Sequence, residues 1–435
     1  MDLKILANRR RDVMQHMGGG VAIIPTSPVR TRNRDVEYVY RPDSDFFYLT
    51  HFPEPEAIVV LVPDRSHGEY ILFCRERDPE KETWDGYRAG IEGACHKYGA
   101  DDAFPIDDID DILPGLLENR DKVYCNMGRY PEFDRRLMGW VNEVRAKSRN
   151  GVHAPGEFVD LDHIVHELRL FKRADEVKTM RKAARISAQA HIRAMQMCKP
   201  GMYEYQIEAE FLHEFRRNGS QYPAYPPIVG GGANSCILHY IENSAQLKDG
   251  DMLLIDAGCE LDGYASDITR TFPVNGKYTG EQKAIYELVL AAQLAAIEQV
   301  KPGSHWNEPH EAAVRIMVDG LLDLKLLKGK ANDIIDNQEY RKYYMHRTGH
   351  WLGMDVHDVG DYKVDGIWRL LEPGLVLTIE PGLYISAGEK DVDERWWNIG
   401  VRIEDDVLVT RQGCDVLSKD APKEVSEIES LMRGG

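Results

Sequence analysis

The sequence has few of the features that place a protein in a membrane or in an oxidising compartment. None of its apolar runs approaches the roughly 20 residues that a membrane-spanning helix needs. Residues 1–20 carry charges throughout and no apolar segment, so we expect no signal peptide. The seven cysteines are scattered and form no C-x-x-C pair. These absences favour a cytoplasmic protein with reduced thiols, without a disulfide framework or a structural zinc site.

Positive charge is also scarce, because 54 lysines and arginines face 72 aspartates and glutamates, a net charge of −18. A phosphate backbone attracts basic proteins, so we do not expect nucleic acid as a partner. The lack of a long apolar run leads us to expect no membrane partner either. The composition is otherwise that of a globular protein, with 43% hydrophobic and 9% aromatic residues. A chain of 435 residues exceeds one typical core, which predicts two domains.

The first part of the chain alternates helical and strand patterns. Short runs of β-branched and aromatic residues at 21–25, 56–63 and 70–74 predict buried strands. The segment 150–172 reads as a connector that becomes a helix, and we place the domain boundary near residue 172.

The second part contains a weak internal repeat. A helical pattern at 176–198 ends in KPG and is followed by a second helical pattern. About a hundred residues later a helix that begins at Thr279, with Gln282 completing a capping box, ends in KPG and is followed by another helix.

Each half of this repeat also carries a similar strand, GDMLLIDAG (250–258) or GLVLTIEPG (374–382). In both strands a glycine precedes a carboxylate by six residues, Asp256 in the first and Glu380 in the second. The repeat predicts an α/β domain with pseudo-twofold symmetry, in which a sheet faces its own copy and the helices lie outside.

The first of these strands belongs to a predicted hairpin at 253–272. If the turn is centred on Leu261 and Asp262, then Asp256 and Asp267 lie directly opposite each other, with Cβ atoms about 5 Å apart. Because like charges in opposite positions destabilise a sheet, two aspartates in an apolar hairpin indicate a cation between them.

The second hairpin carries Glu380 and Glu404 on strands joined by a long polar loop, and the histidine-rich stretch MHRTGHWLGMDVHD (345–358) precedes it. Four carboxylates and one imidazole suit two divalent ions of the Mn, Co, Fe or Zn type, about 3.5–4 Å apart, with a hydroxide between them as nucleophile. The acids next to Glu404, Asp405 and Asp406, are expected to be solvated strand-end residues.

Five segments, IDAG, SDITRT, GHWLGMDVHD, TIEPGLY and VRIEDD, resemble the metal-ligand segments of the dinuclear metallopeptidases with the pita-bread fold. That group includes methionine aminopeptidase, prolidase, creatinase and aminopeptidase P, and the resemblance is closest to the aminopeptidase P family over nearly the whole chain. It implies an α/β (α+β) architecture. By this resemblance we expect a pita-bread catalytic domain with pseudo-twofold symmetry at 173–435, preceded by a smaller creatinase-like α/β domain at 1–172 that serves substrate access and oligomerisation.

The resemblance also implies roles for individual residues. The metal ligands are Asp256, Asp267, His350, Glu380 and Glu404, of which Asp267 and Glu404 bridge the two ions. The residues expected to act on the reacting groups are His239, His357, Glu380 and Arg402. The residues expected to bind substrate are Tyr225, His346, Tyr384 and Trp84, the last being similar to a family aromatic that reaches a neighbouring subunit's site.

The implied activity is the release of the first residue from peptides with proline in second position, through a hydroxide bridging two divalent ions. Manganese is the ion we expect, with cobalt or zinc as alternatives, in a homo-oligomeric (dimeric or tetrameric) cytoplasmic enzyme. Prolidase, which cleaves only dipeptides, is the nearest alternative. A creatinase-like amidinohydrolase uses the same fold without this metal set, and non-catalytic relatives usually lose ligands. The presence of all five ligands disfavours both.

Overall fold

The chain divides into two compact units, Met1–Arg169 and Leu170–Gly435, and the computed structural model describes residues 2–434. The segment 150–172 ends in the expected helix, Asp162–Leu170, but the part expected to be a connector also contains a strand, Glu157–Asp160, which was not predicted. This strand pairs at the edge of a sheet and its four residues are exposed or half-buried. It therefore lacks the apolar run that marks a buried strand.

The first unit is built on one six-stranded mixed sheet and a separate pair of short strands. The strands of this unit are β1 (Val21–Pro25), β2 (Thr31–Asn33), β3 (Val36–Glu37), β4 (Ile58–Leu61), β5 (Tyr70–Cys74), β6 (Asp102–Pro105), β7 (Lys122–Cys125) and β8 (Glu157–Asp160). The order in the six-stranded sheet is β6-β5-β4-β1-β7-β8, and β2 and β3 form the separate pair. The helices of this unit are α1 (Leu3–Met17), α2 (Ser44–Thr50), α3 (Pro79–Asp85), α4 (Gly90–Tyr98), α5 (Ile109–Leu117), α6 (Pro131–Ala146) and α7 (Asp162–Leu170). The predicted strands β1, β4 and β5 are buried along their whole length.

Among its described residues, the second unit contains three three-stranded sheets and two short strand pairs. Its helices are α8 (Ala174–Met197), α9 (Glu204–Arg217), α10 (Gly280–Glu298), α11 (Glu308–Asp323), α12 (Ala331–Asp336) and α13 (Val425–Arg433). Its strands are β9 (Tyr222–Pro223), β10 (Ile228–Gly231), β11 (Met252–Asp256), β12 (Cys259–Leu261), β13 (Tyr264–Ala265), β14 (Thr269–Pro273), β15 (Lys363–Val364), β16 (Ile367–Trp368), β17 (Val376–Ile379), β18 (Gly382–Ile385), β19 (Ile399–Arg402), β20 (Asp405–Thr410) and β21 (Gly413–Val416).

The repeat expected from the sequence is present in the second unit. The helix pair α8 and α9 precedes the sheet β10-β11-β14, and the pair α10 and α11 precedes the sheet β17-β20-β21. The capping box that begins α10 forms as expected, since Thr279 accepts from the Gln282 N–H and Gln282 Oε1 accepts from the Thr279 N–H. Within residues 2–434, no helix is both long enough and apolar enough to cross a membrane.

The first hairpin does not have the expected register. Its turn is centred on Asp262 and Gly263, both with positive φ (50° and 81°), because a two-residue turn that matches the twist of the strands needs positive φ at both central positions. Asp256 therefore pairs with Thr269, and the expected opposition of Asp256 and Asp267 is wrong.

The second hairpin keeps one register through two short ladders. Strand β17 pairs with β20, ending at Ile379 opposite Asp405, and β18 pairs with β19, with Gly382 opposite Arg402. Glu380 and Glu404 lie at the interruption between these two ladders. Neither residue is therefore part of a regular strand ladder.

Candidate functional site

A cavity of about 440 Å³ in the second unit collects most of the predicted site residues. The predicted residues that line it are Tyr225, His239, Asp256, Asp267, His346, His350, His357, Glu380, Arg402 and Glu404. Tyr384 is buried behind this wall, where its hydroxyl lies 2.9 Å from His346 Nε2 and 3.0 Å from Arg402 Nη1. Trp84 lies in the first unit, and its side chain is 88% exposed.

The acids and His350 converge on one point of the cavity. Asp267, His350 and Glu404 each offer a ligand atom within 4.8 Å of the others. His350 Nε2 lies 3.4 Å from Asp267 Oδ2 and 3.5 Å from Glu380 Oε1. The Tyr225 hydroxyl donates to Asp256 Oδ1 at 2.6 Å and also contacts Asp267. Asp256, the fifth predicted ligand, is thereby linked to the other four.

The His350 ring is oriented as a metal ligand requires. Its Nδ1 lies 3.0 Å from the carbonyl oxygen of Trp351, so Nδ1–H donates there and Nε2 is the ring nitrogen that faces the carboxylates. The backbone before it runs against β17, where a Cβ on Gly349 would come within 1.9 Å of the Thr378 carbonyl oxygen. Glycine is needed at this position because of that close approach.

The electrostatics of the site call for positive charge. Burial, reinforced by the neighbouring acids, raises the pKa of Asp267 and of Glu404 well above the usual range. Burial also raises the pKa of Glu380, against a smaller opposing effect of His350. For Asp256 burial acts in the same direction, but Arg402 and Tyr225 outweigh it and lower the pKa. The four carboxylates and the His350 imidazole form a set of ligands that fits divalent cations, and only one guanidinium, that of Arg402, lies nearby to balance their charge.

Arg402 is held firmly among these acids. Its Nη2 lies 2.6 Å from Asp256 Oδ2, and its Nη1 donates to the Tyr384 hydroxyl. Side chains two residues apart on a strand share a face, so Arg402 and Glu404 both point into the site. Only 3% of Arg402 is exposed, which makes this pair a buried one.

His239 lies on a loop that is fastened at two later residues. The Tyr240 hydroxyl donates to Glu204 Oε2 at 2.8 Å. Asn243, which has a φ of 47°, accepts from the Val229 N–H and donates to the Pro227 carbonyl. These bonds anchor the loop to α9 and β10 and leave His239 at the cavity wall.

His346 and His357 are both disposed to stay neutral. Burial, with the charge of Arg402, lowers the pKa of His346 to about 3. The His357 ring packs edge-on against His350 with centroids 4.3 Å apart, and burial together with His350 lowers its pKa. A neutral His357 can donate one hydrogen bond and accept one, whereas both ring nitrogens of His346 already have partners, the Arg347 carbonyl and the Tyr384 hydroxyl.

The expectation that Asp405 and Asp406 are solvated is wrong, because both lie on a strand that crosses the interior and are at most 1% exposed. Asp405 forms buried ion pairs with Arg270 and Lys423, each at 2.7 Å, which lower its pKa against the effect of burial. Asp406 accepts the backbone N–H of Asp267 at 3.1 Å.

Sequence reasoning also missed Thr269, whose hydroxyl donates to Glu404 Oε2 at 2.6 Å. The signal that could have found Thr269 and Asp406 is their position two residues after a predicted ligand, on the same face of the strand.

A second group of possible ligands, Asp45, Asp162 and His166, lies in the first unit. Arg129 and Arg169 each approach Asp45 to 2.6 Å, so guanidinium groups already balance its charge. This group is a partly buried ion-pair network around the fully buried Asp45, and its charges are balanced without a metal.

A histidine behind the site predicts how stability depends on pH. Burial lowers the pKa of His191 to about 3, and its Nε2 lies 3.1 Å from the Ala257 carbonyl. Below about pH 6.5 the unfolded chain binds a proton here that the folded chain does not, so stability is lost as pH falls. His191→Gln removes this loss. Between pH 7.5 and 5.0 its free energy of unfolding should fall by about 2 kcal/mol less than that of the wild type.

Urea unfolding of the metal-free protein at the two pH values measures this difference. The exposed His213 on α9 offers the control, since His213→Gln should leave the pH dependence as it is in the wild type. Parallel pH dependences of wild type and His191→Gln would contradict the prediction.

Comparisons with known proteins agree with this geometry. Residues 178–411 match the model of metallopeptidase family M24, and residues 6–124 match the aminopeptidase P N-terminal domain. The chain is 46% identical over 427 residues to the Xaa-Pro aminopeptidase of Escherichia coli, covering 98% of this chain and 96% of that protein. The structure of Pseudomonas aeruginosa aminopeptidase PepP is similar with a TM-score of 0.99 at 60% identity, over 100% and 98% of the two chains. A zinc-substituted Escherichia coli aminopeptidase P in complex with product has a TM-score of 0.97 at 44% identity, over 100% and 99%.

Proposed function

The chain belongs to metallopeptidase family M24, and from this membership we propose that it is a Xaa-Pro aminopeptidase, a hydrolase that releases the N-terminal residue of peptides with proline second. The observation that carries the proposal is the single cavity in which four carboxylates and His350 converge. A substrate-sized space beside such a donor set is the arrangement that metal-assisted peptide hydrolysis needs.

We propose that Asp256, Asp267, His350, Glu380 and Glu404 hold two divalent ions. Support comes from the raised pKa of buried Asp267 and Glu404 and from Nε2 of His350, which faces them. Divalent ions held here would lower the pKa of water towards neutrality and so supply the nucleophile. Manganese is the proposed ion, because oxygen donors predominate and it accepts them readily.

The protein's own groups would then stabilise and move charge. His239, on its anchored loop, is proposed to donate a hydrogen bond to the oxygen of the scissile carbonyl as negative charge develops there. His357, which also lines the cavity, is proposed to bind the substrate backbone. Glu380 is proposed to accept the proton of the attacking water and deliver it to the leaving proline nitrogen.

The proline requirement follows from the peptide bond that is cleaved. A Xaa-Pro bond has no N–H, so a protease cannot hold it by extended-strand hydrogen bonding and needs a pocket for the ring. We propose that the pocket is formed by Tyr225, His346, His357, Tyr384 and Arg402. The Tyr384 hydroxyl accepts a hydrogen bond from Arg402 Nη1 and is hydrogen-bonded to His346 Nε2, and these two bonds would keep this wall rigid.

The test is hydrolysis by metal-stripped protein with and without added Mn²⁺, using Arg-Pro-Pro and, separately, the dipeptide Ala-Pro. We expect Mn²⁺-dependent release of arginine from the tripeptide. Cleavage of Ala-Pro alone would replace the proposal with prolidase. Absence of hydrolysis of either peptide, with metal bound, would overturn the enzymatic assignment.

We further propose a homo-oligomer in a reducing compartment such as the cytoplasm, with residues 1–172 contributing to assembly and substrate access. The support is that Trp84 and Tyr87, in the first unit, expose 88% and 92% of their surface, and that all seven cysteines are unpaired. Trp84 is proposed to reach the site of a neighbouring copy. Light scattering on purified protein tests the assembly, and a monomeric mass at micromolar concentration would contradict it.

A further inference from the structure

Thr269 links the first hairpin to a carboxylate of the second. Its hydroxyl donates to Glu404 Oε2 at 2.6 Å and accepts from Arg402 Nε at 3.2 Å. A hydroxyl has one proton, and the arginine can only donate, so the proton is directed to Glu404. The backbone N–H of Glu404 also donates to the Thr269 carbonyl at 3.1 Å. Thr269 therefore holds Glu404 by both its side chain and its backbone.

Asp406 makes the reverse connection, from the second hairpin to a carboxylate-bearing residue of the first. Both of its carboxylate oxygens face the backbone N–H of Asp267, at 3.1 and 3.3 Å. The residue is 1% exposed, and its own N–H is held by the Ser418 hydroxyl at 3.0 Å. Its carboxylate therefore accepts from the backbone of the residue whose side chain faces the cavity.

The two connections are related in the same way as the two halves of the repeat. Thr269 lies two residues after Asp267, and Asp406 lies two residues after Glu404. Each hairpin thus uses the position two residues beyond its own carboxylate to hold the other hairpin's carboxylate residue. Because alternate residues share a face of a strand, this exchange follows from the meeting of the two strands.

We propose that Thr269 and Asp406 are reciprocal positioning residues, which fix Glu404 and Asp267 in the orientation that the metal centre requires. Neither side chain lines the cavity, so neither contacts the substrate. Buried carboxylates that repel one another would otherwise turn apart, and a fixed donor or acceptor from the opposite hairpin opposes this. Partners behind metal ligands typically change metal affinity or activity by about 10–100-fold when removed. This inference rests on the ligand set of the proposed function.

Thr269→Val and Thr269→Ser separate the hydroxyl from the shape of the side chain. We expect Thr269→Val to weaken Mn²⁺ binding by about 10–100-fold, and Thr269→Ser, which keeps the donor, to stay within about threefold of the wild type. Binding is measured by isothermal titration of metal-stripped protein with Mn²⁺, independently of turnover. Thr271→Val is the matched control, because Thr271 is equally buried on the same face of β14 but bonds only the Arg402 backbone.

Asp406→Asn and Asp406→Leu make the same comparison from the other hairpin. The amide oxygen of asparagine can still accept the Asp267 N–H, whereas leucine has a similar size and no acceptor. We expect Asp406→Leu to weaken Mn²⁺ binding by about 10–100-fold and Asp406→Asn to retain most of it. If Thr269→Val or Asp406→Leu fails to fold, the conservative variants decide, since Thr269→Ser and Asp406→Asn with greatly weakened binding would overturn the proposal.

Wild-type Mn²⁺ affinity in folded Thr269→Val and Asp406→Leu would also overturn it. Asp256→Ala, measured alongside, distinguishes this result from failure of the proposed function. If Asp256→Ala binds Mn²⁺ as the wild type does, the ligand set itself is wrong. If Asp256→Ala loses binding while Thr269→Val and Asp406→Leu keep it, only the positioning proposal fails.

Discussion

Glu404→Gln is expected to lower kcat/KM for Arg-Pro-Pro by at least about 10⁴-fold, equivalent to about 5.5 kcal/mol of transition-state stabilisation. Glu404 is 1% exposed and offers its carboxylate within 4.8 Å of ligand atoms of Asp267 and His350. Glutamine preserves the size of the side chain and removes its negative charge. Its amide nitrogen presents a donor where a cation needs an acceptor, so the variant should lose bound metal as well as activity.

The measurements are steady-state kinetics with saturating Mn²⁺ and metal content by elemental analysis. Glu389→Gln is the control, because Glu389 belongs to the same half of the second unit but forms a partly exposed ion pair with Lys342 at 3.2 Å. It should keep kcat/KM within about twofold, as expected for a surface pair of small energetic value. A Glu404→Gln variant with full metal content and wild-type kinetics would show that Glu404 is not a ligand.

His239→Ala is expected to lower kcat by about 10²–10³-fold with a small change in KM. His239 is the histidine of the wall loop that Tyr240 and Asn243 anchor, so its position does not depend on the metal ligands. A hydrogen bond donated to an oxygen on which charge develops is stronger in the transition state than in the ground state. Its loss therefore appears in kcat and not in substrate binding.

This effect is separated from a loss of metal by measuring Mn²⁺ affinity, which should be unchanged in His239→Ala. His213→Ala, a substitution of an exposed histidine on α9, should leave both kcat and KM as in the wild type. An increase in KM with kcat unchanged would assign His239 to substrate binding alone. Weakened Mn²⁺ binding would assign it to the metal centre.

Much of the architecture could be predicted because it depends on patterns of residues that are close together in the sequence. The buried strands β1, β4 and β5 are continuous apolar runs, and the start of α10 is a capping box whose two bonds form as expected. The internal repeat could be detected because each half contains the same types of element in the same order. Convergence of the acids on one cavity follows from that repeat together with the family resemblance.

The details of the site depend on contacts between residues far apart in the chain. The register of the first hairpin was predicted wrongly. The predicted turn was centred on Leu261 and Asp262, whereas the observed turn is centred on Asp262 and Gly263, and this shift by one residue changes the partner of every residue in the hairpin. The strand β8 was missed because an edge strand buries too little to show an apolar pattern.

The sequence by itself determined the types of elements, their repeated order and which side chains could bind a cation, since these depend on residues close together in the chain. Only the tertiary structure decided that Asp405 and Asp406 are buried, and that Thr269 faces Glu404. It also decided that Nε2 of His350, and not Nδ1, points at the carboxylates. The physical reason is that burial and hydrogen-bond partners are determined where two hairpins that are far apart in the sequence pack together. The local sequence pattern of either hairpin contains no information about that packing.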